Sequence, residues 1–325
     1  MLGKTICIIT QSHLCRNPRV LKEAIALVKE GYDVQILTGI ISSDLYKQDL
    51  SAIQHYPNIC LKAVFDLSKP TLRSFTDRLL NKLGRLAVKR LKVNTSLSLG
   101  YGALRYYRAA KAIEADLYIC HQELSTYIGT RLLAQNFKIA FDFEDWYSED
   151  LLPSAQTERP ISLLKKTESI ALNQAAFCIT TSAALAKTLA ETYGSPQPHV
   201  IYNVFPIPGF DLGDKAFKAP LKLFWFSQTI GPGRGLEEFV ALLSSVKNTV
   251  ELHLLGNVSA QYHSLLNSIF PKMHKLYLHE LVEEKDLAKK IAGFDIGLAL
   301  ELDTPPSRNY TITNKLFQYI QSGLP

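Results

Sequence analysis

At 325 residues the chain is long enough for two domains of ordinary size, each with a substantial core. Hydrophobic residues make up 47% and charged residues 20%, which excludes a disordered chain, and the net charge of +6 is modest enough that its distribution matters more than its sum. The five cysteines (Cys7, Cys15, Cys60, Cys120, Cys178) are odd in number, widely spaced and without a C-x-x-C pair, which argues against a disulfide framework or zinc cage and fits a reducing compartment.

The opening MLGKTICIIT is too short in its apolar run for a signal peptide and reads as a buried first strand, Thr5 to Thr10. Asn17-Pro18 then gives a helix cap followed by proline at the first helical position. Val20, Leu21, Ala24, Leu27 and Val28 lie at helical spacing, Gly31 stops the helix, and Tyr32–Thr38 supplies the next strand. A less regular stretch follows. Strands are then expected at Leu117–Cys120, Ile139–Phe143 and Cys178–Thr181, separated by helices at Leu124–Gln135 and Ile161–Ala175. This alternation predicts a parallel sheet covered on both faces.

The proline- and glycine-rich segment NVFPIPGFDLGDKAFKAP, residues 203–220, reads as an interdomain linker. Beyond it the rhythm restarts: strand Leu221–Phe226, a glycine-rich loop, helix Leu236–Val246, then strands at Val250–Leu255, Lys275–Leu278 and Asp295–Leu300. The expected architecture is α/β, with a first Rossmann-like domain over 1–202 and a second over 221–325, facing a central cleft. The last expected helix, Asn314–Gln321, is followed only by Ser-Gly-Leu-Pro. A doubly wound sheet normally continues into another strand here, so the second domain is expected to be incomplete and poorly soluble unless covered.

The strand LKLFWFS runs into QTIGPGRG and a helix. Backbone N–H groups around Gly231 and Gly233, and the donor fork of Arg234, suit a diphosphate, though such turns are also made for tightness alone. The closing segment TNKLFQYIQSGLP closely resembles the N-K-x-F-E-Y-x-x-x-G-x-P signature of bacterial glycosyltransferase family 4, a GT-B family of two Rossmann-like domains. The resemblance implies a nucleotide-sugar site in the second domain that includes Asn314, Lys315 and Gln318. Gln318 replaces the family's ribose-gripping glutamate, Tyr310 replaces its other acidic residue, and Gln228 stands where relatives have an arginine, leaving the phosphate to Arg234.

The resemblance extends over nearly the whole chain. ITQSHLCRNPRVLKEA is similar to the family's first strand, acceptor-side loop and first helix, with His13, Arg16 and Arg19 as candidate contacts to donor phosphates or acceptor, Arg19 otherwise lying on the helix surface. YICHQE is similar to the strand whose terminal histidine lies near the transferred sugar, here His121. FDFEDWYSED resembles the family's D-x-H-E segment with Glu144 in place of histidine. Its carboxylates Asp142, Glu144, Asp145, Glu149 and Asp150 either orient acceptor hydroxyls and act as base, or form a solvated acidic loop. Ser182 and Asn203 are expected to be structural.

The segment 71–93 places Arg73, Arg78, Lys82, Arg85, Lys89, Arg90 and Lys92 among Leu79, Leu80, Leu83, Leu86 and Leu91. That is a basic amphipathic helix of the kind that lies on anionic lipid, or a helix packed on the sheet with its charges in water. No run approaches the ~18–20 apolar residues of a membrane span. Nucleic acid is not expected, for want of a stacking platform.

Together these readings imply a cytoplasmic enzyme, peripheral at the inner face of a membrane. It would move a sugar from a nucleoside diphosphate sugar to a glycan or lipid-linked acceptor in cell-envelope polysaccharide synthesis. His121, Glu144 and Asp145 are the catalytic candidates. With no D-x-D motif at a strand end, transfer is expected to need no metal or other cofactor, and the resemblance implies retention of anomeric configuration. A non-catalytic nucleotide-sugar-binding remnant and a GT-B epimerase are the rival readings.

Overall fold

The structure is a computed structural model that describes residues 3–212 and 216–325; part of the expected linker, 213–215, and the first two residues of the opening run lie outside the described residues. The chain divides into two compact units, Met1–Tyr202 with Pro305–Thr311, and Asn203–Thr304 with Ile312–Pro325.

The first unit contains, in chain order, β1 (Thr5–Ile9), α1 (Pro18–Lys29), β2 (Asp33–Ile40), α2 (Ser43–Ile53), β3 (Ile59–Asp66), α3 (Leu72–Leu91) and α4 (Ala103–Lys111). There follow β4 (Leu117–His121), α5 (Glu123–Leu133), β5 (Ile139–Phe143), α6 (Pro153–Gln156), α7 (Ile161–Gln174), β6 (Phe177–Thr180), α8 (Ala183–Tyr193) and β7 (His199–Val200). The strands form one seven-stranded parallel sheet in the order β3-β2-β1-β4-β5-β6-β7. Because side chains alternate across a strand, Ile6, Ile8, Ile36 and Ile119 fill a core on one face, while Cys7, Ile9, Leu37, Tyr118 and Cys120 fill another on the opposite face. Burial on both faces is why these strands read as unbroken apolar runs. The strand order reverses between β1 and β4, a switch point where open α/β sheets leave a crevice beyond the strand ends.

Local chemistry sets several boundaries. The Asn17 side chain accepts from Val20 N, Pro18 occupies the first turn of α1, and Gly31 at φ +88° follows the last residues of that helix. Ser182 caps α8 by accepting from Leu185 N at 2.9 Å. The stretch between β2 and β4, irregular in sequence, holds a further strand and three helices. β3 was illegible because it is an edge strand whose ICLKAVFD pattern mixes exposed and half-buried positions.

The second unit contains β8 (Leu221–Ile230), α9 (Leu236–Leu243), β9 (Val250–Val258), α10 (Ala260–Ile269), β10 (Lys275–His279), α11 (Glu284–Ala292), β11 (Ile296–Gly297) and α12 (Asn314–Gln321). Its parallel sheet has the order β10-β9-β8-β11, with a core around Trp225, Leu252, Leu254 and Leu266 on one face and Phe224, Phe294 and Tyr319 on the other. β8 runs further than expected, through Thr229 and Ile230, after a register shift past Phe226. β11 is shorter than expected. Residues Pro305–Thr311, which the sequence rhythm groups with the second domain, cluster with the first unit: Tyr310 packs on Trp146 with ring centroids 5.9 Å apart, and its carbonyl accepts from the Ser182 hydroxyl. Among the described residues, no helix is long and apolar enough to cross a membrane.

Candidate active site

In the first unit the residues that follow β1, β4 and β5 converge at the switch point. Gln11, Ser12, Gln122, Glu123 and Asp145 line a cavity of about 670 Å³. Gln122 is a non-glycine residue at φ +70°, ψ 169°, a costly backbone state that persists only when its surroundings over-determine it. They do. Its amide donates to the Tyr147 hydroxyl at 3.0 Å, its Oε1 accepts from Gln11 N at 2.9 Å, and its Nε2 donates to Ser12 Oγ at 2.5 Å. Gln11 in turn accepts from Leu124 N and donates to the Leu99 carbonyl. The far wall carries Arg85, Glu158 and Arg159; Arg159 pairs with Glu123, and Arg85 with Glu158.

Asp145 stands in this cavity with its pKa pushed up to about 7. Burial is the main cause, and the charges of Asp150 and Glu144 add to it. A carboxyl poised near neutrality suits proton transfer with a hydroxyl.

Behind the strand ends lies a second cluster of ion-paired side chains, in which, among the described residues, Asp142 Oδ1 alone is buried without a hydrogen-bond partner. The His121 ring is fully buried, with Nε2 at 2.7 Å from Glu23 and Nδ1 at 3.1 Å from Glu144. Burial opposes charge on that ring, yet the neighbouring Glu23, Glu144 and Asp142 overcome it and raise the pKa well above the ordinary value. Burial likewise pushes Glu144 up, but His121, Asn17 and Arg19 prevail and hold it below the usual range. Arg19 donates from Nε to Asp142 at 2.6 Å and from Nη1 to the Ile201 carbonyl at 2.7 Å. Arg19 is therefore buried on Asp142, neither open to a ligand nor on the helix surface, the two placements its sequence position offered.

Two further expectations meet the same outcome. His121 presents no free ring nitrogen to a ligand, since both are spent on carboxylates. His13 is buried too: its Nδ1 meets Asp49 at 2.6 Å and its Nε2 faces the amides of Ile41 and Ser42 at 3.1 and 3.3 Å. That geometry fixes a ring that accepts at Nε2, and the residue braces the loop after β1. Arg16 is exposed on that loop. Glu23, His121 and Asp142 offer ligand atoms within 4.8 Å of one another, a donor set that could hold a metal, but Arg19 already sits on Asp142 and both His121 nitrogens face carboxylates.

In the second unit β8 passes through Gly231–Gly235 into α9. Gly233 and Gly235 have φ of +72° and +78°, and a side chain at Gly231 or Gly233 would meet nothing within 4 Å, so the turn is open to solvent. Arg234 is exposed, while Glu237 and Glu238 occupy the first turn of α9. Gly235 approaches Leu300 and Leu302, and Lys315 at the start of α12 lies 3.7 Å from Glu301 and 5.4 Å from the Trp225 ring centre. The glycine turn, the segment after β11 and Lys315 thus converge at this sheet's own switch point. The Asn314 side chain accepts from Asn203 at 2.8 Å. Gln318 points elsewhere, into the wall of a separate cavity of about 290 Å³ formed with 205–210 and α11. Gln11 and Gln122, which line the first unit's cavity, and Glu23, which holds His121 behind it, belong to no motif in the sequence; the one signal is that Gln122 directly follows a strand ending in histidine.

The fold is that of the GT-B glycosyltransferases, two Rossmann-like α/β units. It is similar to sucrose-phosphate synthase from Thermosynechococcus elongatus (TM-score 0.68, 15% identity, 99% of this chain and 80% of that one). It is also similar to TarM (TM-score 0.60, 10% identity, 90% and 79%) and to UGT2 of Phytolacca americana, solved with UDP-2fluoro-glucose and pterostilbene (TM-score 0.52, 12% identity, 99% and 79%). No protein-family model and no curated protein sequence matches the chain.

Proposed function

We propose that the chain is a glycosyltransferase that moves a sugar from a nucleoside diphosphate sugar onto an acceptor hydroxyl held in the first unit. The observation that carries this is Asp145, a carboxyl with a pKa of about 7 in a large cavity at the switch point of a Rossmann-like sheet. In the reaction a bond forms between the acceptor oxygen and the anomeric carbon, the bond from that carbon to the diphosphate oxygen breaks, and the acceptor proton leaves. Asp145 accepts the hydrogen bond of the attacking hydroxyl and orients it. Arg234 and Lys315 stabilise the charge that builds on the departing diphosphate, a task that asks for no metal. The family resemblance implies retention at the anomeric carbon, so the leaving diphosphate oxygen takes the proton on the same face. Product stereochemistry by NMR tests this: inversion would assign direct displacement, with Asp145 as the base.

The remaining parts of the reading rest on α3. Its buried positions, Ser74, Asp77, Gly84 and Val88, face the unit, while Leu72, Phe75, Leu79, Leu83 and Leu86 recur at helical spacing on the opposite side and are exposed, Leu72 by 85%. A leucine stripe flanked by Arg78, Lys82 and Lys89 supports contact with the anionic inner face of a membrane, where a lipid-linked precursor of a cell-envelope glycan would be found. The second reading, a nucleotide-sugar-binding protein without transferase activity, is favoured by Gln318, which has lost the family's carboxylate and faces a separate cavity.

The test is calorimetric binding of UDP and GDP to the full chain and to Arg234→Ala. Micromolar binding of one nucleotide is expected, weakened about tenfold or more in the variant, as for loss of a hydrogen bond to a charged group. A folded chain that binds neither refutes the donor site. Binding without transfer to any lipid-linked acceptor selects the second reading.

A further inference from the structure

Beside the Asp145 cavity runs a second one of about 550 Å³, along α3. Asn81, Arg85, Tyr101 and Glu158 line both, so the two are joined through a common wall. The chemistry changes across that wall. Arg78, Lys82, Arg85, Lys89 and Arg90 line the second cavity against one carboxylate, Glu158, which Arg85 and Lys89 already share. Among the described residues Lys82 and Arg90 have no ion-pair partner, and Leu86, part of the exposed leucine stripe, forms the apolar edge of the same groove. A cationic groove open on one side to a leucine face, and on the other to a cavity lined by the Asp145 carboxyl, matches an amphiphile with a phosphate between its lipid and its sugar.

We propose that this groove is a phosphate subsite for a lipid-linked acceptor: the cations of α3 hold its phosphate or diphosphate, its lipid lies along the leucine stripe, and its terminal hydroxyl reaches Asp145. The proposal rests on the reading of the first cavity as the acceptor site, and it adds a discrete, saturable site where that reading needs only a membrane surface. The phosphate's register places the hydroxyl, so Lys82 and Arg90 act as positioning residues. Glu158 holds Arg85 and Lys89 in place between the two cavities.

The experiment is binding of geranyl diphosphate to the full chain by calorimetry, beside inorganic pyrophosphate and geraniol. One molecule of geranyl diphosphate per chain is expected to bind, with affinity falling as salt rises. At roughly fivefold per cation, the Lys82→Gln/Arg90→Gln double variant should bind it about 25-fold more weakly, while Asp145→Asn should bind it as the parent does. Pyrophosphate binding as tightly as geranyl diphosphate would overturn the lipid assignment, and geraniol binding as tightly would overturn the phosphate. An unchanged double variant would remove the groove from the site. The two readings fail separately: glycosyl transfer with no geranyl diphosphate binding sinks the subsite alone, and geranyl diphosphate binding in a chain whose Asp145→Asn variant keeps full transfer removes the acceptor cavity and the subsite's purpose with it.

Discussion

Replacing Asp145 with asparagine should make the protein both less active and more stable at alkaline pH. Its folded pKa of about 7 lies above the ordinary 3.8, so the folded state binds this proton more tightly than the unfolded chain does. Stability from the bound proton is therefore full below about pH 4 and is lost as pH rises through about 7. The displacement is about three pKa units at 1.36 kcal/mol each, or about 4 kcal/mol as a ceiling, and water at the cavity mouth reduces this to about 2 kcal/mol. Asparagine keeps the shape and removes the charge. At about 2–4 °C per kcal/mol for a unit of this size, Asp145→Asn should raise the melting temperature by about 4–8 °C at pH 8.5 and leave it nearly unchanged at about pH 3, below the unfolded value of 3.8. Transfer activity should fall about 100-fold, the scale on which a misplaced reacting group slows a reaction, because the attacking hydroxyl loses the carboxylate that orients it. Differential scanning calorimetry at the two pH values, with initial rates at pH 8, reads both effects. Equal shifts at both pH values would show that Asp145 is not an uncompensated buried charge, and activity within threefold of the parent would remove it from the reaction.

Arg19→Met should destabilise the first unit by about 3–5 kcal/mol, because it leaves the buried Asp142 carboxylate and the Ile201 carbonyl without their donor; urea unfolding measures it, and a loss under 1 kcal/mol would contradict the pairing. The raised pKa of His121 means that its contribution to stability is complete below pH 6.5 and disappears as pH climbs through the higher folded value. His121→Gln should therefore flatten the alkaline decline in urea stability, and a parallel decline in the variant would assign that decline to another group. Gly297→Ala would bring a methyl to 2.3 Å from the Tyr319 ring, which two hydrogen bonds to the carbonyls of Phe224 and Leu298 keep from retreating. The expected cost is about 1–3 kcal/mol in the second unit, read by hydrogen exchange of β8 and β9, with exchange in β1 and β4 unchanged.

The sequence by itself determined the alternation of strands and helices, because burial on both faces of a parallel sheet writes unbroken apolar runs such as TICII and IAFDF, and because caps such as Asn17 and Ser182 act over a few residues. α12 was legible to the residue. It also placed Asp145, Lys315 and the glycine turn in segments that end at strand or helix boundaries. What it could not determine was which polar residues face inward. Arg19 and Arg16 are three positions apart on adjoining turns, yet one is buried on Asp142, 123 residues away in the chain, and the other is in water. His13 and His121 look like ligand contacts in one dimension and prove to be braced by Asp49, Glu23 and Glu144, partners that only the packing of separate elements supplies. The pKa of Asp145 has the same origin: a carboxyl's proton affinity depends on the water it loses and the charges around it, and both are properties of the fold.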